Sequence, residues 1–197
     1  MDWEEYKDEF LDIVYANIER DGAENLVEWL EKSDFFTAPA SARRHNSFEG
    51  GLCKHSLNVY YRFIKLLENE FGEKWQERIS LESATIIALF HDICKVDCYK
   101  LDVKNVKKDG VWVQEPYYKF EEALPYGHGE KSVYILSAYM KLMREEAMAI
   151  NWHMGEFDAR VKAASYSIGP VFYKHKIAFL FHCADLMATY LDDTPEK

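Results

Sequence analysis

The most apolar segments of the sequence contain histidine and aspartate side chains. His91 and Asp92 stand side by side in IIALFHDICK, residues 86–95. An ionised carboxylate buried without a partner is strongly destabilising, so a positive charge must offset the burial of Asp92. Apolar or glycine-rich settings also surround four further residues, which are His55, His128, His153 and Asp185. Because neutral imidazoles and carboxylates are common ligands of divalent transition metals, the six residues predict a site for Mn, Fe, Co, Ni or Zn.

Each of these histidines also has a purely structural interpretation. A single buried histidine is more often a hydrogen-bonded core residue than a ligand. His128, between two glycines, fits an ordinary loop, and His153 fits a helix C-terminus, where a cationic side chain is stabilised. Such structural roles are assigned to His175 and His182. The number of polar residues in apolar settings favours a shared metal site over a series of independent coincidences.

The local spacing around the His91–Asp92 pair predicts a common cleft. The apolar pattern indicates a helix from about Leu81 to Lys95, and neighbouring helical residues point about 100° apart. Lys95 is four residues after His91 and three after Asp92, so it shares their face of this helix. Two roles for Lys95 stay open: it binds a substrate phosphate, or it forms a salt bridge with Asp92.

The hydrophobic periodicity along the chain predicts a mostly helical protein with one small β excursion. The expected helices cover 3–20, 21–32 with Asp21 as its cap, 52–67, 81–95, 130–141, 144–154, 156–166 and 173–191, with a break at 168–170. Residues 99–119 are rich in Val, Tyr and Trp, and Asp109–Gly110 is a strong turn signal, so this segment predicts a β-hairpin.

The predicted fold class is therefore all-α, a helical bundle with a β-hairpin near residues 99–119. The sequence contains no internal repeat, low-complexity tract or clear linker, which indicates a single domain over 1–197. Its parts are expected to be N-terminal helices at 1–33, a long loop at 34–51 and a metal-binding helical core at 52–192.

Composition and charge narrow the class of protein. Hydrophobic residues make up 48% of the chain, which is typical of a globular domain. The sequence has no apolar run long enough to span a membrane and no signal-peptide pattern, so a cytoplasmic protein without membrane contact is expected. The net charge of −10 disfavours long duplex nucleic acid as a partner. The sequence gives no indication of the oligomeric state.

Two smaller groups of residues have alternative interpretations. Arg43–Arg44 and the lysines at 104, 107 and 108 could hold a small phosphorylated ligand, although the lysines fit a solvated surface better. The four cysteines lack the short paired spacing of a zinc ribbon and are expected to be reduced and mostly buried. Cys94 and Cys98 are one helical turn apart, but their apolar neighbours favour a core role over metal binding.

The order of these residues resembles a known family. The succession H…HD…H…H…D, with HDICK in the HDxxK form, resembles the HD superfamily of metal-dependent phosphohydrolases over about residues 35–192. Three segments, FFTAPASARRHNSFEGGLCKHSL, GHGEKS and HMG followed by ADLMA, are similar to the HD domain of bacterial 3′→5′ exoribonucleases. They are even more similar to small stand-alone HD hydrolases.

The chain also departs from these relatives. The exoribonucleases carry an N-terminal OB-type domain, whereas this chain has only two helical segments before its long loop. Trp152–His153 stands where relatives often have two histidines. The extra signature of the HD-GYP phosphodiesterases is missing.

The resemblance implies an HD-domain helical bundle with one or two metal ions. His55, His91, Asp92 and Asp185 would hold the first ion, and His128 and His153 with a bridging Asp92 would hold the second. It further implies that a metal-activated hydroxide cleaves a phosphoester, with Asp92 and Lys95 as catalytic residues. The substrate rim is expected to comprise Arg43, Arg44, His45 and Lys95.

The function expected from the resemblance is a metal-dependent phosphohydrolase. Its substrate would be a small phosphorylated molecule, a nucleotide or short oligonucleotide. Two alternative enzymes share the ligand pattern, an HD-type di-iron oxygenase and a 3′→5′ exoribonuclease. A regulator without catalytic activity is a further alternative, which an intact set of ligands disfavours.

Overall fold

The computed structural model describes residues 2–122 and 124–193, so parts of the predicted 1–197 domain lie outside the described residues. The prediction of a mostly helical chain with a β-hairpin is confirmed. The described elements are α1 Trp3–Asn17, α2 Ala23–Lys32, α3 Gly51–Phe71, α4 Leu81–Phe90, β1 Tyr99–Lys108, β2 Val111–Phe120, α5 His128–Ser137, α6 Arg144–Trp152, α7 Ala159–Lys162, α8 Ile168–Lys174 and α9 Lys176–Met187. Among these residues, no helix is both long and apolar enough to cross a membrane.

The core is built around α3 and α4. Helix α3 packs against α1, α4 and α9, and α6 packs against α4, α5 and α9. Helix α4 is apolar on every side, and its residues from Ala84 to Phe90 are buried, as expected for a helix surrounded by other helices. The rings of Phe63 on α3 and Phe181 on α9 meet edge to face at 5.1 Å. This packing brings the ends of several helices towards one cleft.

Helix α4 ends earlier than the sequence pattern predicts. The predicted helix ran to Lys95, but α4 ends at Phe90, and Asp92 has φ −102° and ψ 15°, outside the helical range. A short 3₁₀ turn over Ile93–Lys95 follows. His91 and Asp92 therefore lie on a turn at the mouth of the core, and not on a continuous helical face.

The first two helices and the loop after them follow the predicted order with different boundaries. Helix α1 ends at Asn17, and Gly22 with φ 91°, instead of Asp21, precedes α2. A Cβ atom at Gly22 would lie 1.9 Å from the Tyr139 carbonyl oxygen, so this close approach requires glycine. The loop of residues 33–50 has no helix or strand. It is closed by a hydrogen bond from the Ala40 N–H to the Asn46 carbonyl.

The second half of the chain departs most from the predicted boundaries. The segment 156–166 forms only a short turn and the four-residue helix α7. The break predicted at 168–170 is wrong, because these residues begin α8. Pro170 is tolerated there because it lies in the first turn, where a missing N–H leaves no hydrogen bond unmade. The chain breaks instead at His175, and α9 continues into a wider turn over Ala188–Asp192.

The hairpin forms as predicted. Strands β1 and β2 pair antiparallel, and Lys108 faces Val111 across the Asp109–Gly110 turn. Both turn residues have positive φ, 49° and 84°, which matches the type I′ turn that an Asp-Gly pair favours.

Candidate metal centre

The fold brings the six predicted ligands to one buried site from five parts of the chain. His55 lies on α3, His91 and Asp92 on the turn after α4, and Asp185 on α9. His128 is the first residue of α5, and His153 directly follows α6. All are buried except His128, which is partly exposed. Buried His, Asp and Cys groups in this cluster could therefore hold a metal ion.

One group of ligand atoms lies around the Asp92 Oδ2 atom. The Nε2 atoms of His55 and His91 are 3.3 Å apart, and they lie 3.6 and 3.5 Å from Asp92 Oδ2. Asp185 Oδ1 is 3.3 Å from His55 Nε2. Nitrogen and oxygen ligands at about 2.0–2.2 Å from a tetrahedral ion lie about 3.3–3.6 Å from one another. These four side chains thus have the separations that one shared ion requires.

A second group lies around the other oxygen of the same carboxylate. Asp92 Oδ1 is 2.7 Å from His128 Nε2 and 3.5 Å from His153 Nε2. His153 is 1% exposed, and within residues 2–122 and 124–193 its Nε2 atom has no hydrogen-bond partner. A buried polar atom without a partner is strongly disfavoured, so this nitrogen is suited to a ligand. Asp92 therefore faces one pair of imidazoles with each of its oxygens.

The outer nitrogens of three of these imidazoles are held by acceptors. His91 Nδ1 is 2.9 Å from the Ala88 carbonyl, and His153 Nδ1 is 2.7 Å from the Ile150 carbonyl. His55 Nδ1 is 2.6 Å from Asp193 Oδ2. Each acceptor fixes the proton on Nδ1, which leaves the Nε2 lone pair directed at the other ligands. Metal-binding histidines are usually oriented in this way.

The protonation of the histidines reflects their different neighbours. Burial lowers the pKa of His55, but hydrogen bonds to two carboxylates outweigh burial and raise it to about 9. Burial also opposes protonation of His128, whereas the nearby Cys94 sulfur and the Asp92 carboxylate raise its pKa to about 10. For His91 burial dominates and lowers the pKa to about 3. A divalent ion in this cluster would displace the protons of His55 and His128.

The carboxylates of the cluster stay ionised. Burial raises the pKa of Asp92, but the charge of Lys95 and the His91 ring lower it well below its usual value. Burial likewise opposes ionisation of Asp185, and hydrogen bonding to His55 outweighs it and lowers its pKa. Both carboxylates are thus negative at neutral pH, which is the form that binds a metal ion.

Lys95 forms the salt bridge that was one of its two predicted roles. Its Nζ atom lies 2.6 Å from Asp92 Oδ2 and donates to the Ala40 carbonyl at 2.7 Å. Burial lowers the pKa of Lys95, but the Asp92 charge outweighs burial and raises it, so the ammonium stays charged. Lys95 also lines the cavity above the cluster, where a phosphate would meet it.

A cavity of about 580 Å³ opens onto the cluster. The predicted rim residues Arg43, Arg44 and His45 line it, and the His45 and His55 rings lie 5.2 Å apart. Burial lowers the pKa of His45 to about 4, so this ring is neutral at pH 7. Other lining residues form an apolar wall, which consists of Met154, Phe157, Leu186 and Tyr190. The cavity thus combines a cationic rim with an apolar wall.

Two residues of the site were not predicted. Asp193 follows the last helix, in a polar stretch where an aspartate is ordinary, and no pattern in the sequence distinguishes it. Cys94 was assigned to the core, and it is buried, but its Sγ atom lies 3.4 Å from His128 Nδ1. His182, which was assigned a structural role, has its Nδ1 atom 2.5 Å from the His153 carbonyl. His175, also assigned a structural role, lies 2.8 Å from Glu145.

Comparison with known proteins adds no relative to this picture. No family model, no curated protein and no solved structure matches the chain.

Proposed function

We propose that this chain is a metal-dependent phosphohydrolase with an HD-domain fold, which cleaves a phosphoester of a nucleotide or short oligonucleotide. The observation that carries the proposal is the position of Asp92. Its two oxygens face two separate pairs of imidazoles, His55 with His91 and His128 with His153. A carboxylate shared in this way is suited to two neighbouring ions, which is a common arrangement in enzymes that cleave phosphoesters.

The ligand atoms favour transition metals. Mg²⁺ and Ca²⁺ prefer shells of oxygen, whereas imidazole nitrogen suits Mn, Fe, Co, Ni and Zn. His55, His91, Asp92 and Asp185 would hold one ion, and His128, His153 and Asp92 the other. When bound, such ions lower the pKa of a coordinated water and stabilise negative charge on phosphoryl oxygens.

The side chains around the cluster would bind and orient the substrate. Lys95 stays charged beside Asp92 and offers an N–H to a phosphate oxygen. Arg43 and Arg44 at the rim add positive charge, and guanidinium groups can bind phosphate through two N–H groups at once. His45 is neutral and offers a hydrogen bond without charge.

The apolar wall supports a nucleotide over a bare phosphate. Phe157 and Tyr190 present aromatic faces beside the cluster, and such faces stack with nucleobases. The net charge of −10 favours the small end of this substrate class, because it repels long phosphate backbones.

The test is a hydrolysis screen of the metal-reconstituted protein. Protein loaded in turn with Mn²⁺, Fe²⁺, Co²⁺, Ni²⁺ or Zn²⁺ is given nucleoside mono- and diphosphates, cyclic nucleotides and short oligonucleotides, and the Asp92→Ala variant is the control. We expect turnover with at least one ion and none with the variant. A protein that binds no ion, or binds ions without cleaving any of these substrates, would overturn the proposal. Oxygen uptake by the Fe²⁺ form would support the oxygenase alternative instead.

A further inference from the structure

The thiol of Cys94 lies at the edge of the second group of ligands. Cys94 is 3% exposed and belongs to the 3₁₀ turn that directly follows Asp92. Its backbone N–H donates to the Ser132 Oγ atom on α5 at 3.3 Å. Because His128 begins the same helix, this hydrogen bond helps to hold the sulfur beside the His128 ring.

The position of the sulfur does not match a simple hydrogen bond to the ring. Cys94 Sγ lies 3.4 Å from His128 Nδ1 and 3.6 Å from Nε2, so it is nearly equidistant from the two nitrogens. A hydrogen-bond partner in line with either nitrogen would be much farther from the other, because the two N–H directions diverge. The sulfur therefore lies beside the ring and is aligned with neither nitrogen.

The same distances do match a shared metal ion. Nitrogen at about 2.0–2.1 Å and sulfur at about 2.3 Å from a tetrahedral ion lie about 3.6 Å apart. Cys94 Sγ has this separation from His128 Nε2. Ligand atoms of Asp92, Cys94 and His128 all lie within 4.8 Å of one another.

An independent observation shows that a ligand is expected here. The Nε2 atom of His153 is buried and lies 3.5 Å from Asp92 Oδ1, the same oxygen that contacts His128. Among the residues described, this nitrogen lacks a hydrogen-bond partner. It is directed at the oxygen that Cys94 and His128 also surround.

Two other cysteines are placed differently. The Sγ atoms of Cys53 and Cys98 donate to backbone carbonyls, those of Tyr6 and Cys94, at 3.4 and 3.3 Å. Such contacts are typical of buried structural thiols. Cys94 Sγ instead contacts an imidazole at the metal centre.

We propose that Cys94 is a thiolate ligand of the ion held by Asp92, His128 and His153. The inference rests on the proposed metal centre and adds a sulfur atom to it. On binding, the metal–sulfur bond replaces the S–H bond, and the proton leaves to solvent. Thiolate is a soft ligand, so the second ion is one that accepts sulfur, such as Zn²⁺, Fe²⁺ or Co²⁺, in preference to Mn²⁺ or Mg²⁺.

Cobalt substitution tests this directly. The metal-free full chain is titrated with Co²⁺, and absorption is recorded in the visible, where bound Co²⁺ is detected, and in the near ultraviolet, where a cobalt–thiolate bond absorbs. We expect both signals in the wild type. The Cys94→Ser variant should keep the visible bands and lose the near-ultraviolet band, and Cys183→Ser, a matched change outside the site, should keep both.

The outcomes separate this inference from the proposed function. Visible bands without thiolate absorption in the wild type would overturn the role of Cys94 and leave the metal centre standing. No Co²⁺ uptake at all would overturn both. A competition measurement adds a second readout: Cys94→Ser should lower the Zn²⁺-to-Mn²⁺ affinity ratio by roughly tenfold or more, since a soft ligand is lost. An unchanged ratio would contradict the inference even if the variant folds poorly, because the wild-type spectrum stands by itself.

Discussion

His55 Nδ1 and Asp193 Oδ2 are joined by a hydrogen bond of 2.6 Å in the interior of the protein. Asp193 is 1% exposed, and its other oxygen accepts from the side-chain amides of Asn46 at 2.8 Å and Asn58 at 2.7 Å. Three donors thus hold one carboxylate, which in turn holds the imidazole. Asp193 is therefore a positioning residue, which keeps the His55 Nε2 lone pair directed at Asp92 and Asp185.

Replacing Asp193 with Asn should weaken metal binding. An amide would place its own N–H₂ group against one of the three donors, so His55 would lose its fixed orientation. Loss of such an outer partner lowers metal affinity by roughly 10- to 100-fold. The measurement is a Zn²⁺ titration of the metal-free protein. The control is Asp192→Asn, which removes only the contact with Arg62; equal affinities for the two variants would refute the role of Asp193.

Asp92 and Lys95 should respond to mutation in different ways. Asp92→Ala removes the carboxylate that both groups of imidazoles share, so we expect loss of metal and of turnover together. Lys95→Met leaves Asp92 buried without its cation, and breaking a buried pair costs about 3–5 kcal/mol. This variant should melt earlier than the wild type when metal-free, and bound ions should restore more of its stability, because they replace the missing charge.

The two comparisons are made by thermal unfolding with and without Zn²⁺, beside metal analysis. Lys65→Met, on the exposed side of α3, is the matched control and should behave as the wild type. Retention of both ions by Asp92→Ala would show that Asp92 is not shared. A Lys95→Met variant that gains no more stability from Zn²⁺ than the wild type would show that the ion does not replace the ammonium.

The sequence predicts the elements well where the hydrophobic pattern is strong, and poorly where a turn uses ordinary helical residues. The helix end at Phe90 was missed because His91 and Asp92 continue the apolar pattern, although the backbone leaves the helix at Asp92. The break expected at 168–170 was wrong because a proline in a first turn does not interrupt a helix.

The candidate site divides in the same physical way. Polar residues within apolar segments are conspicuous, and so the six ligands could be selected before their positions were known. Asp193 lies among other polar residues, and Cys94 among apolar ones, so each fits its local setting. Their roles depend on contacts across 138 residues for Asp193 with His55 and 34 residues for Cys94 with His128, which no local pattern specifies.

His128 and His153 should determine the number of bound ions. Both contact only the Oδ1 side of Asp92. Replacing either with Ala should therefore lower the metal content from two ions per chain to one, and turnover should fall strongly. Elemental analysis beside activity measures this, with His175→Gln as the control, because His175 pairs with Glu145 outside the cluster. One ion in the wild type and in both variants, with normal activity, would identify the site as mononuclear.

The apolar wall of the cavity should recognise the base of a nucleotide. Phe157 is 48% exposed and lines the cavity, so its ring is free to stack with a planar group. Stacking of one base on an aromatic side chain contributes about 1–3 kcal/mol, which corresponds to about a fivefold or larger change in binding. Phe157→Ala should therefore raise KM for a nucleoside 5′-phosphate by at least about this factor and leave kcat nearly unchanged.

Ribose 5-phosphate separates base recognition from phosphate recognition, because it presents the same sugar phosphate without the base. Phe157→Ala should leave its KM unchanged, whereas loss of Arg43 and Arg44 should raise KM for both substrates, since these side chains would bind the phosphate. Tyr173→Ala, which removes an exposed aromatic ring from α8, is the matched control and should alter neither value. If Phe157→Ala changes KM for the two substrates equally, the wall shapes the cavity and does not bind the base.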